Sequence, residues 1–315
     1  MPKLLIIGGT GSLGNVLVDK YLPKYDICIY SRDEDKQWRM KNKYNSDRIT
    51  FVIGDILNYD RIFSTLAKIQ PNYIIIASAM KHIDICEQNI NESINTNVIG
   101  VQNIIKCIDN LKLPLLDCVL FVSTDKACSP CNVYGTCKAL SEKIITQKSL
   151  DFTTTRFVVV RYGNVINSRG SLLPKFNEIA NNDTKKSFTV THKDMTRFFM
   201  TIHQSVELVD YALTMGKTGC IFVPILNSHH IIEIANLFSS KYNKPVEFSG
   251  MRPGEKMHEE LINDTELQRT YLENGFYVVS HSSHDISEKD KVKIKSYTSL
   301  DTLVSVQEMQ VFLNI

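Results

Sequence analysis

Tyr134 and Lys138 stand four residues apart in Tyr134-Gly135-Thr136-Cys137-Lys138. At that spacing both side chains lie on one face of a helix. A phenol that takes a proton at neutral pH must fall about three pH units below its free value near 10, roughly 4 kcal/mol. A lysine one turn away supplies part of that shift, and a cationic ring bound beside the phenol supplies more. The pair is common by chance, so its surroundings decide whether it is chemistry. Just upstream, an apolar run ends in Ser123-Thr124-Asp125-Lys126, which brings together a hydroxyl, a carboxyl and an amine. These types suit a hydrogen-bond donor, an acid and a base. The plain alternatives are a strand-end hydroxyl for Thr124, a loop cap for Asp125 and a solvated surface lysine for Lys126.

A second constellation lies near the start of the chain, in Ile6-Ile7-Gly8-Gly9-Thr10-Gly11-Ser12-Leu13-Gly14. It follows an apolar strand pattern and opens an amphipathic stretch. Glycines there serve a tight bend, the approach of a pyrophosphate to backbone N–H groups, and close helix–strand packing. A bound phosphate would sit at the positive end of the helix. Gly8, Thr10, Gly11, Ser12, Leu13 and Gly14 are therefore expected to hold a dinucleotide. The second strand pattern ends in Ile29-Tyr30-Ser31-Arg32, with Lys36 a turn later. A hydroxyl and a guanidinium suit a ribose 2′-phosphate, since Arg donates two parallel bonds to it, which favours NADP over NAD. Asp33 and Glu34 weigh against this unless they cap the next helix. Asp55, in Gly54-Asp55-Ile56, is placed for the adenine amine, with a helix cap as the alternative; Ile56 and Ala77 are expected to line the same site.

These groups need a scaffold that gathers strand ends. Residues 1–165 alternate short apolar runs with amphipathic stretches, the pattern of βαβ units around a parallel sheet. Strands are expected at 3–8, 27–31, 50–54, 73–77, 118–123 and 157–162, and helices starting near Ser12, Glu34, Asp60, Glu92 and Tyr134. The expected fold is a doubly wound Rossmann-type α/β sheet, whose ligands bind at the carboxyl ends of the strands. Residues 166–315 are less regular, with polar loops at 181–186 and 280–291 and strand-like runs at 221–223, 246–248 and 276–279. They read as a smaller substrate-binding lobe with returns to the sheet.

The chain has 315 residues, 43% of them hydrophobic and 22% charged, with a net charge of +2. That balance gives no electrostatic reason for nucleic-acid or membrane-surface binding. No apolar run is long enough to span a bilayer, and the first one is too short for a signal peptide core. A cytoplasmic setting is expected, with the eight cysteines as thiols. Cys128 and Cys131 form one C-x-x-C, but no second pair stands at metal-ligand spacing, so no metal is expected.

The strings Ser123-Thr124-Asp125-Lys126-Ala127 and Asn132-x-Tyr134-Gly135-x-x-Lys138, after a glycine turn that counted from Gly8 reads G-x-x-G-x-x-G, resemble extended short-chain dehydrogenases/reductases acting on nucleotide sugars. More narrowly, the chain is similar to the soluble UDP-N-acetylglucosamine 4,6-dehydratases that invert C5. Tyr30-Ser31-Arg32-Asp33-Glu34, Ala79-Met80-Lys81-His82, Val160-Arg161-Tyr162-Gly163-Asn164-Val165 and Arg252-Pro253-Gly254-Glu255-Lys256 carry the same likeness. It extends to about residue 262, and the last fifty residues match poorly. Asp-Lys after Thr124 is the form of these dehydratases, where hexose 4,6-dehydratases carry Asp-Glu.

The resemblance implies oxidation at C4 of UDP-N-acetylglucosamine by bound NADP, loss of water across C5 and C6, and return of the hydride to C6. Tyr134 is the implied C4 base, Lys138 holds the ribose and tunes Tyr134, and Thr124 orients the substrate. Asp125 is the acid for the 6-hydroxyl. Lys126 is the C5 base, once burial and nearby Lys138 lower its pKa. Lys81 is implied near the cofactor phosphates or substrate, Asn164 and Arg252 at the diphosphate, and Glu255 at ribose hydroxyls; surface roles are the alternatives for Lys81, Arg252 and Glu255. Arg197 makes a weaker case. A homo-oligomer is also implied, through helices near 92–111 and 134–149, which carry Val98, Val101, Ile105, Leu140 and Ile144 on more than one face, with core packing as the alternative for some of them. A 4-epimerase or 4-keto reductase on the same fold, and an NADP-sensing protein without chemistry, are the competing readings.

Overall fold

The computed structural model describes residues 1–168, 170–282 and 291–313. Six parallel strands, β1 (Lys3–Ile7), β2 (Asp26–Ser31), β3 (Ile49–Ile53), β4 (Tyr73–Ile76), β5 (Cys118–Val122) and β6 (Arg156–Val160), run in the order β3-β2-β1-β4-β5-β6. The sheet continues past β6 with three strands from later in the chain. Ile221–Pro224 pairs parallel to β6, Phe276–Val279 pairs antiparallel to that strand, and Thr270–Glu273 closes the edge. This is the doubly wound arrangement read from the sequence, with all six expected strands in it.

The strands read as continuous apolar runs because both faces of the sheet are covered. Alternation divides their side chains between two cores. Leu5, Ile7, Val119 and Phe121 point to the side packed by α3 (Tyr59–Ile69), α6 (Gly100–Leu111) and α7 (Val133–Gln147). Leu4, Ile6, Cys118 and Leu120 point to the side packed by α1 (Ser12–Tyr21), α2 (Glu34–Tyr44) and helix Ile202–Met215. The helix expected near Glu92 is interrupted: α4 (Ile83–Gln88) and α5 (Ile90–Ile94) lead through a π-helical turn, Asn95–Ile99, into α6. Of the residues weighed between a subunit interface and the core, Val98, Val101 and Ile105 are core residues. Helical periodicity marks an apolar face without saying which neighbour covers it. Leu140 is exposed, as are Ile90, Ile94 and Ile99.

A second lobe has its own core of Leu173, Phe176, Phe188, Phe199, Ile234 and Phe238. Helix Val306–Leu313 adds Met309 and Leu313 to it, so the end of the chain is part of that lobe. Strand Tyr297–Thr298 pairs with Glu260–Ile262. The polar loop expected at 280–291 lies mostly outside the described residues, at 283–290. No helix among the described residues is long and apolar enough to cross a membrane.

Arg161, just beyond β6 and 2% exposed, joins three parts of the molecule. Its Nε and Nη2 donate to Glu142 of α7 at 3.0 and 2.6 Å. Its Nη1 and Nη2 donate to Glu266, in the short helix Asp264–Leu267, at 2.7 and 2.9 Å. Burial alone would disfavour the guanidinium, but the two carboxylates hold it charged. Arg161→Met leaves Glu142 buried without its cation and Glu266 with Arg269 at 3.8 Å. Thermal or denaturant unfolding is expected to show a loss of about 3–5 kcal/mol.

Candidate active site

The carboxyl ends of β1, β2, β4 and β5 open on a cleft of about 1030 Å³ that also takes in residues of the second lobe. Except for Asp55 and Asp125, every site residue read from the sequence lines it.

At β1 the chain turns at Gly8, whose φ is +86°, a conformation that side chains strain against. A Cβ there would stand 2.6 Å from the backbone nitrogen of Ser78 after β4, so glycine also lets two strand ends meet. Gly11 caps α1 without a side-chain hydrogen bond, leaving the first-turn N–H groups directed to the cleft. Thr10, Ser12, Leu13, Gly14 and Ala77 line the same region. The Ser78 and Ser123 hydroxyls are buried there with no hydrogen-bond partner among the described residues. Such a surface fits the phosphates and ribose of a dinucleotide.

Ser31 ends β2 and its Oγ accepts from Gln37 Nε2 at 2.9 Å. Arg32 is largely exposed and pairs with Asp55 at 3.4 Å. Asp33 caps α2 by accepting the Lys36 N–H at 3.0 Å and pairs with the Lys36 ammonium. Of the two acids that weighed against a 2′-phosphate, Asp33 is thus occupied as a cap, while Glu34 is the first residue of α2. Asp55 is not the cap of α3, a role taken by Asn58; its Oδ1 accepts from Leu57 N–H at 2.9 Å. Ile56 lines the cleft beside it.

The turn Asp125–Ala127 follows β5 directly, and α7 packs on it. Gly135 makes that contact possible: a Cβ there would stand 2.2 Å from the Lys126 carbonyl oxygen. Asn132 caps α7, accepting the Gly135 N–H at 2.7 Å, and donates to the Gly254 carbonyl at 2.8 Å. Loop 252–256 is thereby fastened to the start of α7. Arg252 bridges Asp84 at 2.9 Å and Glu255 at 2.7 Å. Both Arg252 and Glu255 line the cleft, as do exposed Lys81 and half-buried Asn164.

Thr124 Oγ1 donates to Asp125 Oδ1 at 2.9 Å, and Lys126 Nζ donates to the same oxygen at 3.0 Å. Asp125 is 1% exposed, and burial outweighs Lys126 to push its carboxyl up. Lys126 behaves otherwise than the sequence implied. Burial works to lower its pKa, but Asp125 and Glu259 outweigh burial and raise it, and Lys138 has no part. Glu259 lies 3.3 Å from Lys126 Nζ and 3.7 Å from Arg197 Nε. Sequence reasoning missed Glu259; its one signal was a carboxylate four residues beyond Glu255, at helix spacing in what proved to be a loop.

Burial pushes the Tyr134 phenol up to about 12, against the pull of Lys126 and a hydrogen bond with Thr124. Lys138, the expected tuning group, donates to the Val122 carbonyl and lies 3.7 Å from the centre of the Phe121 ring. Burial lowers its pKa to about 7, and only Glu142 works the other way. Cys128 is buried against Glu266 and Cys131 exposed, and no cluster of His, Cys, Asp or Glu among the described residues could hold a metal.

A family model described as polysaccharide biosynthesis protein matches residues 4–281. A Rickettsia bellii protein named UDP-glucose 4-epimerase is 36% identical, over 95% of this chain and 91% of its own. A Campylobacter jejuni protein named UDP-N-acetylglucosamine 4,6-dehydratase (inverting) is 35% identical, over 93% of this chain and 87% of its own. The X-ray structure of Pen from Bacillus thuringiensis superposes with a TM-score of 0.90 at 32% identity, covering 99% of this chain and 97% of that one.

The depressed Lys138 pKa makes a stability prediction. Between about 7 and the unfolded value of 10.5, the unfolded chain carries a proton on Lys138 that the folded one lacks. Stability from this group therefore rises with pH across that window and is least below it. Melting curves of cofactor-stripped wild type and Lys138→Met should diverge in favour of wild type as pH rises from 7 to 9. A pH-independent difference would show that Lys138 is not held near neutrality.

Proposed function

The chain belongs to the polysaccharide biosynthesis protein family, and on that premise we propose that it is a UDP-N-acetylglucosamine 4,6-dehydratase inverting C5, working through bound NADP. The observation that carries this reading is the buried Asp125 carboxyl 3.0 Å from the Lys126 amine, beside Tyr134. A 4-epimerase needs only oxidation and return at C4. Loss of water from C5 and C6 needs in addition a base for the C5 proton and an acid for the 6-hydroxyl.

In this reading Gly8 to Gly14 hold the pyrophosphate, Ser31, Arg32 and Lys36 the 2′-phosphate, and Asp55 and Ile56 the adenine. Ala77, Lys81, Tyr134 and Lys138 complete the cofactor site. Lys81, Thr124, Asn164, Arg252 and Glu255 hold the nucleotide sugar. NADP, when bound, supplies the hydride acceptor at C4 and the donor at C6. Tyr134 removes the 4-hydroxyl proton; a positive charge bound beside it acts against burial, together with Lys126. Lys126 can take the C5 proton only after losing one of its own, and Asp125 is the acceptor at hand, with its neutral form favoured by burial. One transfer thus readies both groups: an amine for C5 and a carboxylic acid for the 6-hydroxyl. Exposed Leu140, Ile90, Ile94 and Ile99 support a homo-oligomer, and a cytoplasmic setting belongs to the same reading.

Incubation with UDP-N-acetylglucosamine should yield a product lighter by one water, with solvent deuterium at C5 when run in deuterated water. An unchanged mass would favour the 4-epimerase. Tyr134→Phe should abolish every step, whereas Lys126→Ala should still reduce the bound cofactor and then stall, which near-ultraviolet absorbance detects. Arg32→Ala should weaken NADP binding about tenfold or more and NAD binding little; equal losses would show that Arg32 does not read the 2′-phosphate.

A further inference from the structure

We infer that Glu259 is a positioning residue for Lys126, a second carboxylate that fixes the amine and balances the charge growing on it as it takes the C5 proton. The inference rests on the role proposed for Lys126. Glu259 is 2% exposed and does not line the cleft, so it does not meet substrate directly. A carboxylate buried this deeply is costly unless it is paired. Its partners are Lys126 at 3.3 Å and Arg197 at 3.7 Å, both through Oε1. Oε2 is buried with no hydrogen-bond partner among the described residues. The lysine is the nearer cation, and Arg197 already donates to the Thr196 carbonyl at 2.7 Å and the Met257 carbonyl at 3.2 Å. Neutralising Arg197 alone therefore does not account for the placement.

The backbone at this point is held on both edges. Glu259 N–H donates to Ser299 Oγ at 2.9 Å, and Ser299 N–H donates to the Glu259 carbonyl at 2.8 Å. Ser299 Oγ in turn bonds Thr196 Oγ1 at 2.7 Å, next to Arg197. The C-terminal segment, which carries no recognisable motif, thus fixes a charge in the acid–base centre. The charged and titratable groups facing Lys126 are Asp125 on its own turn, Glu259 and Arg197 from the second lobe, and Tyr134 from α7. Asp125 and Glu259 offset Lys126 and Arg197. Without Glu259, Asp125 is left as the one carboxylate facing Lys126 and Arg197, and Lys256, which also acts on Glu259, adds a further positive charge; the amine becomes a weaker base, and its protonated form loses a stabilising partner.

Two measurements on Glu259→Gln and Glu259→Asp test this. The first is competitive acetylation of Lys126 by acetic anhydride across pH, read by peptide mass spectrometry on the cofactor-loaded enzyme. Removing an anion favours the neutral amine, so labelling in Glu259→Gln should move to lower pH by about one unit or more, and Glu259→Asp should restore most of the shift. The second is turnover of UDP-N-acetylglucosamine in deuterated water. Glu259→Gln should slow C5 deuteration on the order of tenfold or more while the first reduction of cofactor persists. An unmoved Lys126 labelling profile overturns the inference, as does equal loss of cofactor reduction and C5 exchange. If Glu259→Gln does not fold, a wild-type Lys126 that labels at or below the pH at which exposed lysines label overturns it, because an amine paired with Asp125 and Glu259 should label at higher pH. A wild-type enzyme that releases no water from this substrate would sink the proposed function, while the labelling profile would still decide the place of Glu259.

Discussion

The close contact between the start of α7 and the turn at Asp125–Ala127 is the constraint on which the site depends. A parallel sheet delivers Thr124, Asp125 and Lys126 at the end of β5, but it does not deliver Tyr134 or Lys138. Those come from a helix that reaches the same point only because Gly135 has no side chain to strike the Lys126 carbonyl, 2.2 Å from where its Cβ would be. Asn132 then fixes the helix start and ties it to the Gly254 carbonyl, so one short segment positions residues from β5, α7 and the second lobe. The approach of Tyr134 to Thr124 and Lys126 follows from that packing.

Charge balance is the second organising feature, and it is achieved by pairing across long stretches of chain. Arg161 sits between Glu142 and Glu266, and Lys126 sits between Asp125 and Glu259, with Arg197 on the far side. Buried ions of this kind are tolerated only when each has a partner in good geometry. Engaging Glu142 with Arg161 has a consequence at Lys138, four residues earlier on α7. The carboxylate that acts on it, Glu142, is already paired with Arg161, and burial outweighs it to set the Lys138 pKa near neutrality. Two lysines at the head of one cleft thus have opposite characters, Lys126 held charged by two carboxylates and Lys138 pushed toward the neutral amine. Helix spacing would not distinguish them.

The sequence by itself determined the sheet, the glycine turn and the chemical groups at the strand ends. Runs such as Leu4-Leu5-Ile6-Ile7 and Val119-Leu120-Phe121-Val122 have one stable place, inside a sheet covered on both faces, and the glycine turn and Tyr134-x-x-x-Lys138 are local patterns whose spacing carries their meaning. The tertiary structure alone decided which charges meet. Glu259 lies over a hundred residues from Lys126, and no periodicity links the two; only the docking of the second lobe, with Ser299 fixing the backbone, brings them to 3.3 Å. The same holds for Val98, Val101 and Ile105, whose apolar faces are legible but whose neighbours are not. Local spacing specifies side-chain direction, whereas burial and long-range ion pairing are properties of the assembled packing, and those are what set the protonation of Asp125, Lys126 and Lys138.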